Sequence, residues 1–259
     1  MQPQEGARPL NRLKDRWVRG VPTYGAIVTM PSIQVVQVLA NAGLDWLIID
    51  MEHGPIDLAA AHAMIVATAG TATMPFVRIA WAVPWLAKTV LDLGALGIVF
   101  PMILNAGDAE TTVRSVRYPP EGERLWGPFY APLRWQQSMA DYIGGANREI
   151  LSVITIEHPD AVDRIDEICA TPGVDLAFIG PGDLAMSMGR AGEIEHPDVM
   201  AAMARAEAGI LRSQVVAGGV ARSVEQAKSM TARGYRALVL GFDWSLLHRG
   251  VSSLLDALR

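Results

Sequence analysis

Eight short apolar runs, each followed by a stretch with helical spacing, constrain what this chain can fold into more than any other feature. They are YGAIVTM (24–30), DWLIIDM (45–51), PFVRIA (75–80), GIVFPMI (97–103), LSVITIE (151–157), LAFIGP (176–181), VVAGGV (215–220) and RALVLGF (236–242). Each is nearly continuous in apolar residues, the pattern of parallel strands covered on both faces. Between them, segments such as SIQVVQVLANAG, DLAAAHAMIVATAG, PWLAKTVLDLG, DAETTVRSVRY and SVEQAKSMTARG repeat apolar residues at helical spacing. Several close on Gly, the usual residue just past a helix end. At 259 residues the repeat averages about 30 residues, one strand–helix step. This predicts an α/β protein, a (β/α)8 TIM barrel, with residues 1–259 as a single domain. A doubly wound open sheet is the competing arrangement. It usually has fewer strands and a Gly-rich turn after the first, whereas Pro31-Ser32 follows YGAIVTM here.

The pattern is interrupted in places. Residues 1–20 read as an N-terminal extension. Residues 118–149 are rich in aromatics and prolines, and long insertions of this kind are lids or subunit contacts. Residues 182–198 form a second long connection before a helix near 199–213.

Hydrophobic residues make up 51% of the chain and charged residues 19%, enough for a large core and too apolar for disorder. The net charge is −5, and the basic residues form no stripe, which argues against nucleic acid as a partner. The single cysteine, Cys169, excludes an intramolecular disulfide framework and a cysteine-built zinc site. The N-terminal residues lack the apolar core of a signal peptide, and no apolar run approaches the ~20 residues that span a bilayer. The expectation is a soluble, cytoplasmic protein with no membrane partner.

In such a barrel, catalytic groups stand at the C-terminal ends of strands and in the loops that follow. Strand two ends in Asp50-Met51-Glu52-His53-Gly54-Pro55, strand three carries Arg78, and strand five ends at Glu157, followed by His158. Strand six runs into Gly180-Pro181-Gly182-Asp183, and strand eight ends at Asp243. Glu157 and Asp183 come from adjacent strands. Two carboxylates on one rim repel unless a proton or a cation lies between them, and hard oxygen donors with room for water suit Mg²⁺ or Mn²⁺ better than zinc. The plainer alternative is that both carboxylates cap helices. The Gly-Pro-Gly turn lets backbone approach a ligand, and its N–H groups can hold a carboxylate, although such a sequence is more often simply a turn.

His53 is the leading acid/base candidate, because imidazole titrates near working pH; the alternative is a hydrogen-bonded structural histidine. Asp92, in the helix after strand three, is the candidate to orient it, provided that folding brings the two together. Arg78 lies inside an apolar strand, where it needs a partner or a ligand, and a fixed cation there would stabilise an enolate. The lysines, Lys14, Lys88 and Lys228, end no strand. A Schiff-base mechanism is therefore disfavoured.

At these residues the sequence resembles the metal-dependent (class II) pyruvate aldolases of the HpcH/HpaI family. That group includes 4-hydroxy-2-oxoheptanedioate aldolase, the 2-keto-3-deoxy sugar-acid aldolases and the related macrophomate synthase. The markers are AGLDWLIIDMEHGPID, PFVRI, LDLGALGIVFPM, VRYPPEGER, the Ile-Glu of strand five and GVDLAFIGPGDLAMSMG, and they run from about residue 20 to near the C-terminus. The resemblance implies a pyruvate enolate bound to a divalent cation (Mg²⁺ or Mn²⁺, with Co²⁺ or Zn²⁺ as alternatives) by Glu157 and Asp183, with Glu52 behind them and no organic cofactor. His53 would be the acid/base, with Asp92 raising its basicity. Arg78 would hold the pyruvyl oxygens, and the N–H groups of Gly182 and Asp183 the carboxylate. It also implies a homo-oligomer, a hexamer built as a trimer of dimers whose C-terminal helices are exchanged between subunits.

Three positions depart from the family pattern. Relatives often carry Gln two residues before the metal Glu as a substrate contact, and here Thr155 stands there with a shorter reach. His158 replaces a common Thr, as a group behind the metal site or a first-turn residue. The loop usually reading Arg-Gly-x-Gly is Arg124-Leu125-Trp126-Gly127-Pro128, followed by Phe129 and Tyr130, bulk that would reshape the acceptor pocket. The leading expectation is reversible cleavage of a 4-hydroxy-2-oxo acid to pyruvate, or a close analogue, and an aldehyde. One alternative keeps the enolate and changes the electrophile, as in oxaloacetate decarboxylation or a macrophomate-synthase-like reaction. Another is a non-catalytic barrel that binds 2-oxo acids.

Overall fold

The computed structural model describes residues 11–259. Its strands are β1 (Thr23–Val28), β2 (Trp46–Asp50), β3 (Met74–Arg78), β4 (Gly97–Phe100), β5 (Leu151–Ile156), β6 (Leu176–Ile179), β7 (Val216–Val220) and β8 (Ala237–Phe242). Each pairs in parallel with its sequence neighbours, and β8 closes on β1. The closed barrel excludes the open sheet. Each apolar run carries one strand, with β1 and β3 starting one residue earlier and several ends drawn in; β4 stops at Phe100 because Pro101 has no N–H for the ladder.

Alternate residues of each strand point to opposite faces, which divides the core in two. Ile27, Trp46, Ile48, Met74, Phe76, Val99, Leu151, Val153, Leu176, Phe178 and Val239 fill the barrel, while Ala26, Val28, Leu47, Ile49, Val77, Ile98, Ile154 and Ala177 pack under the surrounding helices. Gly25 makes room inside, since a Cβ there would run into the Trp46 indole. Within the N-terminal extension, the helix Leu13–Val18 closes the bottom of the barrel. Leu13 and Trp17 join the interior cluster, and the Trp17 Nε1–H donates to Thr23 Oγ1 at 2.9 Å.

The outer helices start on the caps their sequences supply. Ser32, Asp57, Asn105 and Ser223 each accept a backbone N–H three residues on. The 182–198 connection is shorter than expected, because Pro181–Ser187 is itself a helix and the next runs Pro197–Arg212. Among the described residues no helix is long and apolar enough to cross a membrane.

Residues 118–149 form the helices Ala131–Trp135 and Met139–Glu149, and within one chain they do not act as a lid. A helix that follows a parallel strand runs back, so its C-terminus lies at the end of the barrel away from the mouth. The Trp135 Nε1–H donates to Gly94 O at 2.9 Å, and Arg134 donates to Ile65 O and Thr68 Oγ1. These partners are at the C-terminal ends of the helices Leu58–Ala67 and Pro84–Asp92. The segment is clamped along the outside of the barrel and does not roof the mouth of its own chain. Its aromatics Trp126, Phe129 and Tyr130 are exposed there.

Candidate active site

The inward-facing set of each strand changes character toward the C-terminal end. In β2 it runs Trp46, Ile48, Asp50; in β3, Met74, Phe76, Arg78; in β5, Leu151, Val153, Thr155, continuing to Glu157. The apolar layers thus give way at one rim to Asp50, Arg78, Thr155 and Glu157, all buried. A charge at that depth needs a counter-charge with good geometry.

Arg78 has one. Asp50 stands opposite it in the β2–β3 register and is 0% exposed. It accepts Arg78 Nε–H at 2.9 Å and Nη2–H at 2.6 Å, a two-pronged ion pair. Its Oδ1 also receives the backbone N–H groups of Glu52 and His53, at 3.1 and 3.4 Å, which folds the loop after β2 back over the pair. Gly54 completes the turn, since a Cβ there would stand 2.7 Å from Thr29 O. Arg78 Nη1 has no protein partner among the described residues and remains a donor for a ligand. Asp50 was not among the residues singled out from sequence. The signal was available, because it shares the inward parity of Trp46 and Ile48 on the strand beside Arg78.

The same turn presents Glu52 and His53. Glu52 Oε2 lies 3.2 Å from Arg78 Nε and 3.5 Å from His53 Nε2. The Nε hydrogen aims at Asp50, and Oε2 is buried with no hydrogen bond among the described residues. Burial pushes the Glu52 carboxyl up to about 7, against the opposing pull of Arg78 and His53 and with added repulsion from Glu157 and Asp50. A proton is then held in the folded chain and released in the unfolded one between pH 4.5 and 7. Metal-free protein should therefore lose stability as pH rises through that window, by up to about 1.4 kcal/mol per pH unit from this group. Glu52→Gln should flatten the slope. Denaturant titrations in chelator at several pH values check this, and equal slopes in the two proteins would contradict it.

Glu157 is held asymmetrically. Oε1 receives the Met102 N–H and the Thr155 hydroxyl, both at 2.7 Å. Met102 reaches it with φ of 55°, a left-handed backbone that costs a non-glycine residue about 1–2 kcal/mol. Among the described residues Oε2 receives no hydrogen bond. Gly180 stands beside it, and a Cβ there would lie 3.1 Å from Oε2, so the missing side chain keeps that oxygen accessible. Asp183 follows three residues later, exposed in the first turn of Pro181–Ser187, and a Cβ on Gly182 would meet nothing within 4 Å.

This arrangement fits a hard divalent cation. Glu157 Oε2 is free, the neighbouring Glu52 Oε2 is an orphan, and Asp183 is a second carboxylate. Among the described residues no three His, Cys, Asp or Glu side chains form a cage. Two carboxylates, with water and substrate oxygens completing the shell, suit Mg²⁺ or Mn²⁺.

Other expectations resolve differently. The Asp92 carboxylate accepts Arg124 Nη2–H at 2.8 Å and Lys88 Nζ–H at 2.9 Å, so it does not orient the His53 of its own chain. The reason is geometric: Asp92 ends the helix Pro84–Asp92, at the end of the barrel away from the mouth. Arg124, fully buried, stacks over the Tyr118 ring at 4.5 Å. Thr155 spends its hydroxyl on Glu157, which argues against a direct substrate contact. His158 caps the helix Pro159–Asp163 through Nδ1. Asp243, 1% exposed, accepts N–H groups from Thr29, Met30 and Trp244 and the Thr29 hydroxyl, so it ties β8 to β1. Lys14, Lys88 and Lys228 all lie on outer or bottom helices.

Comparisons with known proteins agree with this geometry. Residues 28–249 match the HpcH/HpaI aldolase/citrate lyase family. The chain is 36% identical to a hydroxypyruvate/pyruvate aldolase of Paraburkholderia phytofirmans, over 96% of this chain and 98% of that one. It is 36% identical to a 4-hydroxy-2-oxo-heptane-1,7-dioate aldolase of Klebsiella pneumoniae subsp. pneumoniae, over 94% and 92% of the two chains. A crystal structure of a family protein from Burkholderia cenocepacia J2315 superposes with a TM-score of 0.89 at 36% identity, covering 96% of this chain and 99% of that one. With a closed barrel carrying its charged rim where those markers fall, this chain belongs to the HpcH/HpaI aldolase/citrate lyase family and is a carbon–carbon lyase.

Proposed function

We propose that this enzyme is a divalent-metal-dependent aldolase that reversibly cleaves 4-hydroxy-2-oxo acids to pyruvate, or a close 2-oxo acid such as hydroxypyruvate, and an aldehyde. The observation that carries the reading is the convergence on one rim of an Arg78 locked by Asp50 with a free Nη1, a Glu157 with one free oxygen, and a half-exposed His53 beside Glu52. Glu157 and Asp183 would hold the cation, which when bound polarises the 2-oxo group. Arg78 Nη1 points a fixed positive charge at the oxygen on which enolate charge develops. The N–H groups of Gly182 and Asp183, unused in the first turn of their helix, receive the substrate carboxylate. His53 moves the proton between the C4 hydroxyl and C3.

Exchange of pyruvate methyl protons for deuterium, followed by NMR, tests enolate formation without choosing an aldehyde. Exchange that requires added Mg²⁺ or Mn²⁺ is expected after metal stripping. Its absence with every cation would remove pyruvate as the nucleophile.

The proposal includes a homo-oligomer, a hexamer arranged as a trimer of dimers with exchanged C-terminal helices. The helix Asp243–Leu258 buries Asp243 and packs Leu246 against its own barrel, while Trp244, Leu247, Val251, Leu254 and Leu258 form an exposed stripe at alternating spacings of three and four. Burying such side chains stabilises by about 1.5–3 kcal/mol each. Light scattering should give a mass several times that of the chain, and Leu247→Glu with Val251→Glu should reduce it. A monomeric wild-type protein would count against exchange.

A further inference from the structure

The hydroxyl of Thr155 has one proton and two acceptors in reach, Glu157 Oε1 at 2.7 Å and Phe100 O at 3.1 Å. The shorter distance and the carboxylate charge direct the proton to Glu157. Thr155 is itself buried, its Cα paired with Phe178 in the β5–β6 register, so neither water nor a small ligand competes for that hydrogen. The Met102 N–H converges on the same oxygen from the end of β4. Glu157 is thereby gripped at Oε1 from two strands, and Oε2 alone faces the space that Gly180 leaves open.

We propose that Thr155 is a positioning residue that fixes the metal-binding carboxylate of Glu157, and that it makes no contact with the substrate. This rests on the reading of Glu157 as a metal ligand. A carboxylate gripped at one oxygen presents the other in a single orientation, so the entropy of ordering it is not charged against cation binding. Partners of this kind behind a metal ligand are typically worth 10–100-fold in affinity. A hydroxyl can fill the role at position 155 because it is short. Reaching past Glu157 into the mouth would take a longer side chain.

The test is Mn²⁺ binding to the metal-stripped full-length protein, read by calorimetry or electron paramagnetic resonance in the absence of substrate. Thr155→Val, close in shape but without the hydroxyl, should weaken Mn²⁺ binding about tenfold or more. Thr155→Ser should stay within about threefold of wild type, a rescue that loss of packing alone would not give. Thr155→Ala repeats the measurement should the valine variant fold poorly. Once each variant is saturated with metal, the KM for the 2-oxo acid should be close to that of wild type, whereas a substrate-contact role would raise KM and leave Mn²⁺ affinity unchanged. Unchanged Mn²⁺ affinity in both Thr155→Val and Thr155→Ala overturns the proposal. Glu157→Gln separates the two levels. If it binds Mn²⁺ like wild type, the metal site itself is misassigned and the role of Thr155 falls with it. If it does not bind while Thr155→Val binds with wild-type affinity, only the positioning role fails.

Discussion

Asp50→Ala should lower the stability of the fold by about 3–5 kcal/mol, because it leaves the Arg78 guanidinium charged and unpaired at the top of an apolar barrel. The pair is deep: the side chains of Asp50 and Arg78 are 0% and 10% exposed. Glu52 Oε2, 3.2 Å from Arg78 Nε, would be left to meet the guanidinium, and its partly buried carboxyl replaces at most one of the two prongs. The carboxylate also organises the loop after β2 by accepting two of its backbone N–H groups, and these lose their acceptor as well. For a chain of this size the expected loss corresponds to a melting temperature roughly 6–20 °C lower. Turnover should collapse with it, since Arg78 would no longer be aimed. Asp50→Leu combined with Arg78→Met, which removes both charges, should recover much of the stability and none of the activity. Chemical denaturation of the single and double variants decides the matter. A loss under 1 kcal/mol in Asp50→Ala would mean that the guanidinium finds another partner or solvent.

The strands were legible because parallel strands covered on both faces are apolar throughout, and a run of that kind has little else to become. Much of the site was legible for a related reason: a charged residue at the end of an apolar run, as with Arg78 and Glu157, has to be explained by a partner or a ligand. Asp50 was given no role because it stands at the strand end among Glu52 and His53, which carry the more obvious chemistry, and only its parity with Trp46 and Ile48 shows that it points inward. The grip of Met102 on Glu157 depends on a left-handed backbone at a non-glycine residue, for which sequence has no signature. Asp92 does not meet the His53 of its own chain, because its helix carries it away from the mouth. Nine residues at 1.5 Å each carry the chain about 13 Å back from the mouth. The aromatic 118–149 segment does not roof the mouth of its own chain for a similar reason, since its anchors, Trp135 on Gly94 and Arg134 on Thr68, are at that far end.

His53→Ala should reduce turnover about 100-fold or more while leaving the fold nearly as stable as wild type. Cleavage of a 4-hydroxy-2-oxo acid needs the C4 hydroxyl proton removed as the C3–C4 bond breaks. The bonding pair then resides in the enolate, the aldehyde departs, and C3 takes up a proton to give the 2-oxo acid. A single group near the mouth can serve both transfers, giving up at the second the proton it took at the first. His53 suits this work: its side chain is 54% exposed, on the turn that Asp50 organises, with Nε2 3.5 Å from Glu52 Oε2. Because it is half in solvent and packs against little, truncation should move the melting temperature by only a few degrees. The loss should fall on kcat, with KM and Mn²⁺ affinity nearly unchanged, since substrate oxygens and cation are assigned to other residues. Steady-state kinetics at saturating metal, run beside a Mn²⁺ titration, separates these quantities. Full turnover in His53→Ala would transfer the proton step to Glu52, whose carboxyl burial pushes up to about 7, and Glu52→Gln would then be the variant that loses activity.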